Sequence, residues 1–343
     1  LYHFFKPMKK YIPDWFILGL MLMIIAAWVK PGIAMNIKPV ELGTVIDLGV
    51  VLIFFFYGLK LDPVKLKSGM RNWRMHLAVQ VTTFLVFPLV VLPFYPVLKD
   101  TNLEILWIGM FFLAALPSTV SSSVVMVSIA GGNIPGAIFN ASISGIIGIL
   151  MTPFWMGFFL QASSAEFEFS GIIIQLVTRI IIPVVAGLLL HRFFIHVITK
   201  HLKKLAAFDK IIILLIVYES FSESFMAGIF QSVSWLTLGV LFIAVIMLFF
   251  MMLNFTGFLA RIMDFSREDT ITLQFAGTKK SLVHGSVFAS VLFSGIGGAG
   301  IWLLPIMIYH SFQLFYISMI AGKMQRNLVQ HKNETFLKDR FVR

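Results

Sequence analysis

Long apolar runs alternate with short polar stretches along the whole chain, and the runs read as helices. They cover about residues 15–29, 43–57, 73–93, 103–130, 134–160, 168–190, 207–227, 233–258, 269–294 and 298–321. Most approach the ~20 residues that an α-helix needs to cross about 30 Å of hydrocarbon. Within each run the apolar residues are continuous rather than alternating, which argues against a membrane β-barrel. The pattern predicts an all-α membrane protein with ten transmembrane helices. Two runs, the fourth and the ninth, are too long for a simple crossing and must be tilted or broken.

Both long runs carry polar groups at a point where a helix can break. The fourth reads Leu116-Pro117-Ser118-Thr119-Val120-Ser121-Ser122-Ser123, and the ninth reads Phe275-Ala276-Gly277-Thr278-Lys279-Lys280-Ser281. Ten spans divide into residues 15–160 and 166–321, with 322–343 a basic cytoplasmic tail. Five spans per half turn the second half upside down, which predicts two inverted repeats with helices 4 and 9 interrupted. The polar 161–167 stretch, with Glu166, is the expected connection between them. Interrupted helices at matching places in two repeats point to the binding site of a secondary transporter.

Composition and charge narrow the reading. Hydrophobic residues make up 59% of the chain and charged residues 13%, against about 25% charged in a soluble domain. The net charge of +11 raises the question of nucleic acid. Its placement answers it: 21 of the 27 lysines and arginines fall on segments 1–14, 58–74, 191–210, 258–270 and 321–343. Those segments share one side if both termini are cytoplasmic, which is the positive-inside pattern of an inner or plasma membrane. The basic residues then face anionic lipid, and no nucleic-acid partner is expected. The basic start (Lys6, Lys9, Lys10) leads into a first run that reads as a retained span rather than a cleaved signal.

Enzyme chemistry finds little support. There is no cysteine, so disulfides and thiolate chemistry are excluded. His76 and His284 have no carboxylate at metal-motif spacing, and neither HExxH nor a Walker loop occurs.

The breaks themselves hold the candidate substrate-binding and coupling groups. Pro117 cannot donate a backbone hydrogen bond and disrupts the preceding turn. The hydroxyls of Ser118, Thr119, Ser121, Ser122 and Ser123 can satisfy freed carbonyls, cap a new helix start, or offer oxygens to a small cation. They can equally serve as close-packing glue between helices. In the ninth run Gly277 opens the helix, and Thr278 is placed to cap a half-helix beginning near Lys279. A buried ammonium at Lys279 or Lys280 needs a carboxylate, backbone carbonyls or an anionic substrate; snorkelling toward water is the alternative. Being adjacent, the two lysines cannot point the same way on a regular helix.

Other intramembrane polar residues join the list. Gln80 can bond to a crossing helix. Asn140 and Ser144 share a face of the fifth run, with Ser142 between them. Arg179 can pair with Glu219 or Glu223 of the seventh run, or bind an anion.

With these motifs in view, the chain resembles the bile acid:sodium symporter superfamily, and within it the SBF-like branch. The resemblance covers about residues 10–325. It rests on LPSTVSSSVVMVSIAGGNIPGAIFNASISGIIGILMTP (Leu116–Pro153) together with FAGTKKSLVHG (Phe275–Gly285). It implies that the two interrupted helices cross, in a core domain of about 73–160 and 233–321. A panel domain of about 15–57 and 168–227 would move against that core. It also implies one sodium site at the positions matching Ser122, Ser123, Asn140, Ser142 and Ser144, although the usual Ser-Asn pair is here Ser122-Ser123. A second sodium site of the family uses a glutamine, matched by Gln80, and a Glu-Val-Gly-Met-Gln segment. That segment is here Phe275-Ala276-Gly277-Thr278-Lys279, without the acidic ligand and with lysine in place of the second glutamine. Two sodium ions bound in the usual way are therefore not expected.

The expected function is alternating-access transport of an organic anion or amphipathic carboxylate. Coupling to one sodium ion, to a proton or to neither stays open, and no other cofactor is expected. The alternative is a membrane regulatory or scaffold protein with a vestigial transporter core. Expected partners are the anion and membrane lipid, and oligomeric partners are not readable.

Overall fold

The protein is described by a computed structural model that covers residues 15–31, 42–61, 72–119, 121–163, 174–175, 177–293 and 299–341. Val120, Glu166 and the basic start before Trp15 lie outside the described residues. The described chain folds as helices throughout. They are α1 (Trp15–Val29), α2 (Leu42–Lys60), α3 (Trp73–Leu98), α4 (Glu104–Ala115), α5 (Ser121–Ala130) and α6 (Ile134–Ser163). Then follow α7 (Val177–Met226), α8 (Trp235–Ile262), α9 (Arg267–Gly277), α10 (Leu282–Leu292) and α11 (Ala299–Phe341).

The expectation of ten transmembrane helices is corrected. Among the described residues six helices are long and apolar enough to cross a membrane: 42–60, 73–98, 134–159, 177–226, 235–262 and 299–327. Three physical causes account for the difference. Among the described residues the first run forms a helix of 15 residues. The fourth and ninth runs each become two half-helices, none of which crosses alone. The sixth and seventh runs join into one helix, because no glycine or proline lies between Gly187 and Gly228 to stop it. Arg192, Lys200, Lys203 and Lys204 in that stretch mark a polar surface, but they are good helix formers.

α7 nevertheless bends back on itself. His191 reaches the Leu59 carbonyl (2.8 Å) and Asp209 pairs with Lys60 (3.1 Å), both at one end of α2. Arg179 pairs with Asp47, and Glu219 lies beside Gly43, toward the other end. A straight helix of 50 residues would run about 75 Å and could not meet one 19-residue neighbour at both of these levels twice. The two limbs of α7 embrace α2 at backbone contact. A side chain at Gly58 would sit 2.1 Å from the Val184 carbonyl oxygen, and one at Gly187 would sit 2.1 Å from that of Phe55. Small residues that let backbones touch are the usual device of helix packing in lipid.

The surface is apolar where lipid would lie: Trp28, Leu189, Phe193, Trp235, Leu236 and Met247 are all exposed. The chain is thus a multi-pass helical membrane protein.

At one end of the interrupted helices, a polar clamp holds α3, α6 and α9 together. Asp269, in the first turn of α9, accepts from Asn72 Nδ2 (2.6 Å) and from Asn133 Nδ2 (2.7 Å). Asn72 caps α3, and the Asn133 Oδ1 accepts from Gly136 N at the start of α6. Ser266 caps α9, and the carboxylates of Glu268 and Asp269 suit its N-terminal dipole. Asp269→Ala removes two charge-assisted bonds and should cost about 2 kcal/mol. The expected readout is a lower midpoint of thermal unfolding in detergent, with helix content retained.

Candidate functional site at two interrupted helices

α4 stops because Pro117 follows: Leu116 turns extended (φ −72°, ψ 151°), and Ser118 and Thr119 are non-helical. A helix end in a membrane leaves carbonyls that water cannot satisfy. Several of these are met by specific donors. Ala115 O accepts from Thr152 Oγ1 (2.8 Å), and Pro117 O accepts from the Ser281 N–H (2.9 Å). Ala114 O and Leu116 O both accept from Lys280 Nζ, at 2.7 and 2.8 Å.

The break after α9 is satisfied in the same manner. Ala276 O accepts from Ser118 Oγ (2.6 Å), and Thr278 O accepts from Tyr309 on α11 (2.6 Å). Gln313 holds the Lys280 residue from both sides: its Oε1 accepts from Lys280 N (2.9 Å) and its Nε2 donates to Lys280 O (2.7 Å). The bonds from Ser281 to Pro117 and from Ser118 to Ala276 put the two breaks directly against each other.

Capping differs in detail from the sequence expectation. Ser281, not Thr278, caps the second half-helix, which begins at Leu282, and its Oγ accepts from His284 N. Thr278 instead donates back to Gln274 O and closes the end of α9. The physical reason is that the break is four residues long, Thr278 to Ser281, so the cap falls at its far end.

Lys279 and Lys280 are both fully buried, and their amines diverge. Snorkelling is thereby excluded. Lys280 has three acceptors, Thr83 O (2.8 Å) besides the two of α4, and its amine lies 4.1 Å from the centre of the Phe87 ring. Thr83 belongs to a π-helical turn, Thr82–Val86, within α3; such turns disturb the regular backbone pairing. Lys279 Nζ has one described acceptor, Ser122 O at 2.8 Å, in the first turn of α5. Around it Thr119 Oγ1 bonds to Ser122 Oγ (2.9 Å) and Ser123 Oγ (2.8 Å). Among the described residues no carboxylate pairs with either lysine.

The remaining candidates fall into separate groups. Gln80 does reach the crossing helix, donating from Nε2 to Asn140 Oδ1 (3.1 Å), while its buried Oε1 has no described partner. Asn140 donates to Gly136 O (3.0 Å). Ser144 Oγ accepts from Ser118 N (3.0 Å). Ser142 Oγ bonds within its own helix to Ile138 O, and Ser142 O accepts from Tyr57 of α2 (2.6 Å). Thus Ser144 joins the first break, Asn140 joins Gln80, and Ser122 and Ser123 join Thr119. Arg179 pairs with Asp47 rather than with Glu219 or Glu223, because its limb of α7 packs directly along α2, which carries Asp47.

Sequence reasoning missed Tyr309, His310 and Gln313, which grip the second break from α11. The signal available was Tyr309, His310 and Gln313 close together within the apolar run 298–321. It also missed the contact of Phe54 and Tyr57 on α2 with His284 on α10. These residues, with Lys60 and Asp209, line a small cavity of about 30 Å³ where α2 and α7 meet α10.

The chain is similar in sequence to known proteins along most of its length. The profile of the SBF-like CPA transporter family matches residues 14–326. An uncharacterized protein of Pseudomonas aeruginosa is 34% identical over 317 residues, covering 92% of this chain and 94% of its own length. YfeH of Escherichia coli is 34% identical over 286 residues, 82% of this chain and 84% of its own. Sodium/bile acid cotransporter 7 of Rattus norvegicus is 30% identical over 322 residues, 93% of this chain and 94% of its own. With a family profile over most of its length and relatives matched nearly end to end, the chain belongs to the SBF-like CPA transporter family of the bile acid:sodium symporter superfamily.

Proposed function

We propose that the protein is a secondary transporter that moves an organic anion, of the amphipathic carboxylate class, by alternating access, with the anion binding at Lys279. One observation carries the anion preference. Lys279 carries a buried amine with a single described acceptor, Ser122 O, at the N-terminal turn of α5. A helix N-terminus itself favours negative charge, so two positive features face one another, and an anion between them relieves both. Pro117, Ser118, Thr119 and Thr278 shape that point by fixing the breaks. The name of the rat relative, which joins sodium and bile acid, supports a carboxylate with an apolar body.

The moving parts in this reading are a core of about 73–160 and 233–321 and a panel of about 15–57 and 168–227. Backbone contact between α2 and α7 supports a rigid panel, and the bonds between the two breaks support a rigid core. Lys279 is fully buried, so the anion reaches it when panel and core part. If a cation is co-transported by way of Ser122, Ser123, Asn140, Ser142 and Ser144, the separate groups that hold them, with Gln80 beside Asn140, must converge during the transport cycle. Arg179, paired with Asp47, serves the panel. Both termini are cytoplasmic in this reading, in an inner or plasma membrane.

The test is uptake into proteoliposomes of a panel of labelled carboxylates, under imposed sodium, proton or no gradient. Saturable uptake of an anion is expected, and the gradient that drives accumulation identifies the coupling ion. Uptake no greater than in protein-free vesicles for every anion tested would overturn the reading.

A further inference from the structure

We infer that the Lys280 ammonium is a built-in cation, seated in a cage of main-chain carbonyls that would otherwise hold a small monovalent cation from solution. The inference rests on the two breaks being the transport site. Thr83 O, Ala114 O and Leu116 O surround the amine at 2.8, 2.7 and 2.8 Å. An ammonium has three N–H donors, so all are met. Two of the oxygens belong to the C-terminal end of α4, where the helix dipole is negative. The third comes from the π-helical turn of α3, and the Phe87 ring closes the cage on another side. The site is fully buried.

Three convergent carbonyls with no carboxylate make a cation cage, of the kind that replaces a hydration shell by backbone oxygens. The amine is held in place by these three oxygens. It pins α3, α4 and the second break together through one charge, so this point of the fold needs no ion from either side of the membrane. Lys279, one residue away, is left as the ammonium available to ligand.

The cage is tested by thermal unfolding of purified Lys280→Ala in chloride salts of choline, sodium, potassium, methylammonium and ethylammonium at equal ionic strength. The variant is expected to unfold at least 5 °C below the wild type in choline, in line with a stability loss of the kind that shifts small domains by several degrees. Ethylammonium, which has the shape of the missing side-chain tip, or another small cation should restore several degrees. The wild type should show no response to ethylammonium over choline. Lys280→Met, which keeps the stem but lacks the charge, should be destabilised and should not respond to ethylammonium, because the stem fills the space. Equal stability of Lys280→Met and wild type would overturn the inference, as would the same ethylammonium response in the alanine variant and wild type. If the alanine variant does not fold, the methionine variant still decides. The readout needs no transport, so a failure here is distinct from a failure to find an anion that is carried.

Discussion

Lys279→Gln is expected to lower anion uptake about a hundredfold while leaving the unfolding temperature within a few degrees of wild type. The reasoning starts from the unequal surroundings of the two lysines. Lys280 has three carbonyls and a ring face, so its removal is felt by the fold. Lys279 has one described acceptor, and glutamine can still donate to Ser122 O. What glutamine lacks is the charge. Truncating one partner of a buried, hydrogen-bonded charge pair costs about 2–5 kcal/mol, and about 2.8 kcal/mol is a hundredfold in binding. Relieving a buried charge from an unliganded protein should if anything favour the folded state. Measured uptake and unfolding temperature should therefore separate: uptake falls, stability does not. Uptake at the wild-type rate by Lys279→Gln would remove Lys279 from the binding site.

The second large effect lies away from the site, where α2 crosses α7. Gly58→Ala or Gly187→Ala should each destabilise by about 3 kcal/mol or more and sharply reduce the yield of monodisperse protein. Overpacking a core with one methyl group ordinarily costs about 1–3 kcal/mol. Here the added carbon would meet backbone oxygens at 2.1 Å, Val184 O in one case and Phe55 O in the other. Backbone cannot swing aside as a flexible side chain can, so the whole crossing must open. Gly239 on α8 provides the control, since a side chain there meets nothing within 4 Å. Gly239→Ala should be neutral or slightly stabilising through better helix propensity. Gel-filtration profiles and thermal unfolding of the three variants make the comparison, and a Gly58→Ala protein as stable as Gly239→Ala would refute the backbone-contact argument.

Some of this architecture is legible in the chain itself. Pro117 and the Gly277-Thr278-Lys279-Lys280 stretch mark helix breaks by local chemistry, and both breaks are found there. The two lysine amines diverge, but in a non-helical break, so the argument from a regular helix does not account for it. Other features resist such reading for definite reasons. Hydropathy registers apolar length, not helix ends, so half-helices such as α4 and α5 add up to one apparent crossing. The same blindness splits α7, where charged residues interrupt the apolar pattern without interrupting the helix. The partner of Arg179 depends on which limb of α7 faces Asp47, a matter of helix rotation that spacing does not encode. Gln313 and Tyr309 act on residues 31 to 33 positions earlier, across a helix and a turn. The Asp269 clamp likewise unites residues from three distant segments.

The cross-bonding of the two breaks has a consequence for how the protein is made. Ala114, Leu116 and Pro117 offer carbonyls whose donors, Lys280 and Ser281, come about 165 residues later in the chain. At a synthesis rate of roughly 5–20 residues per second, the first break waits at least several seconds with those oxygens unmet by their final partners. During that interval the nascent chain must hold α4 and α5 near the membrane–water boundary, near the translocation machinery, or in some provisional pairing. A ribosome-arrested chain ending before Thr278 should accordingly expose the first break to water-soluble labelling through a cysteine placed at Ser118, and a chain extended past α11 should protect it.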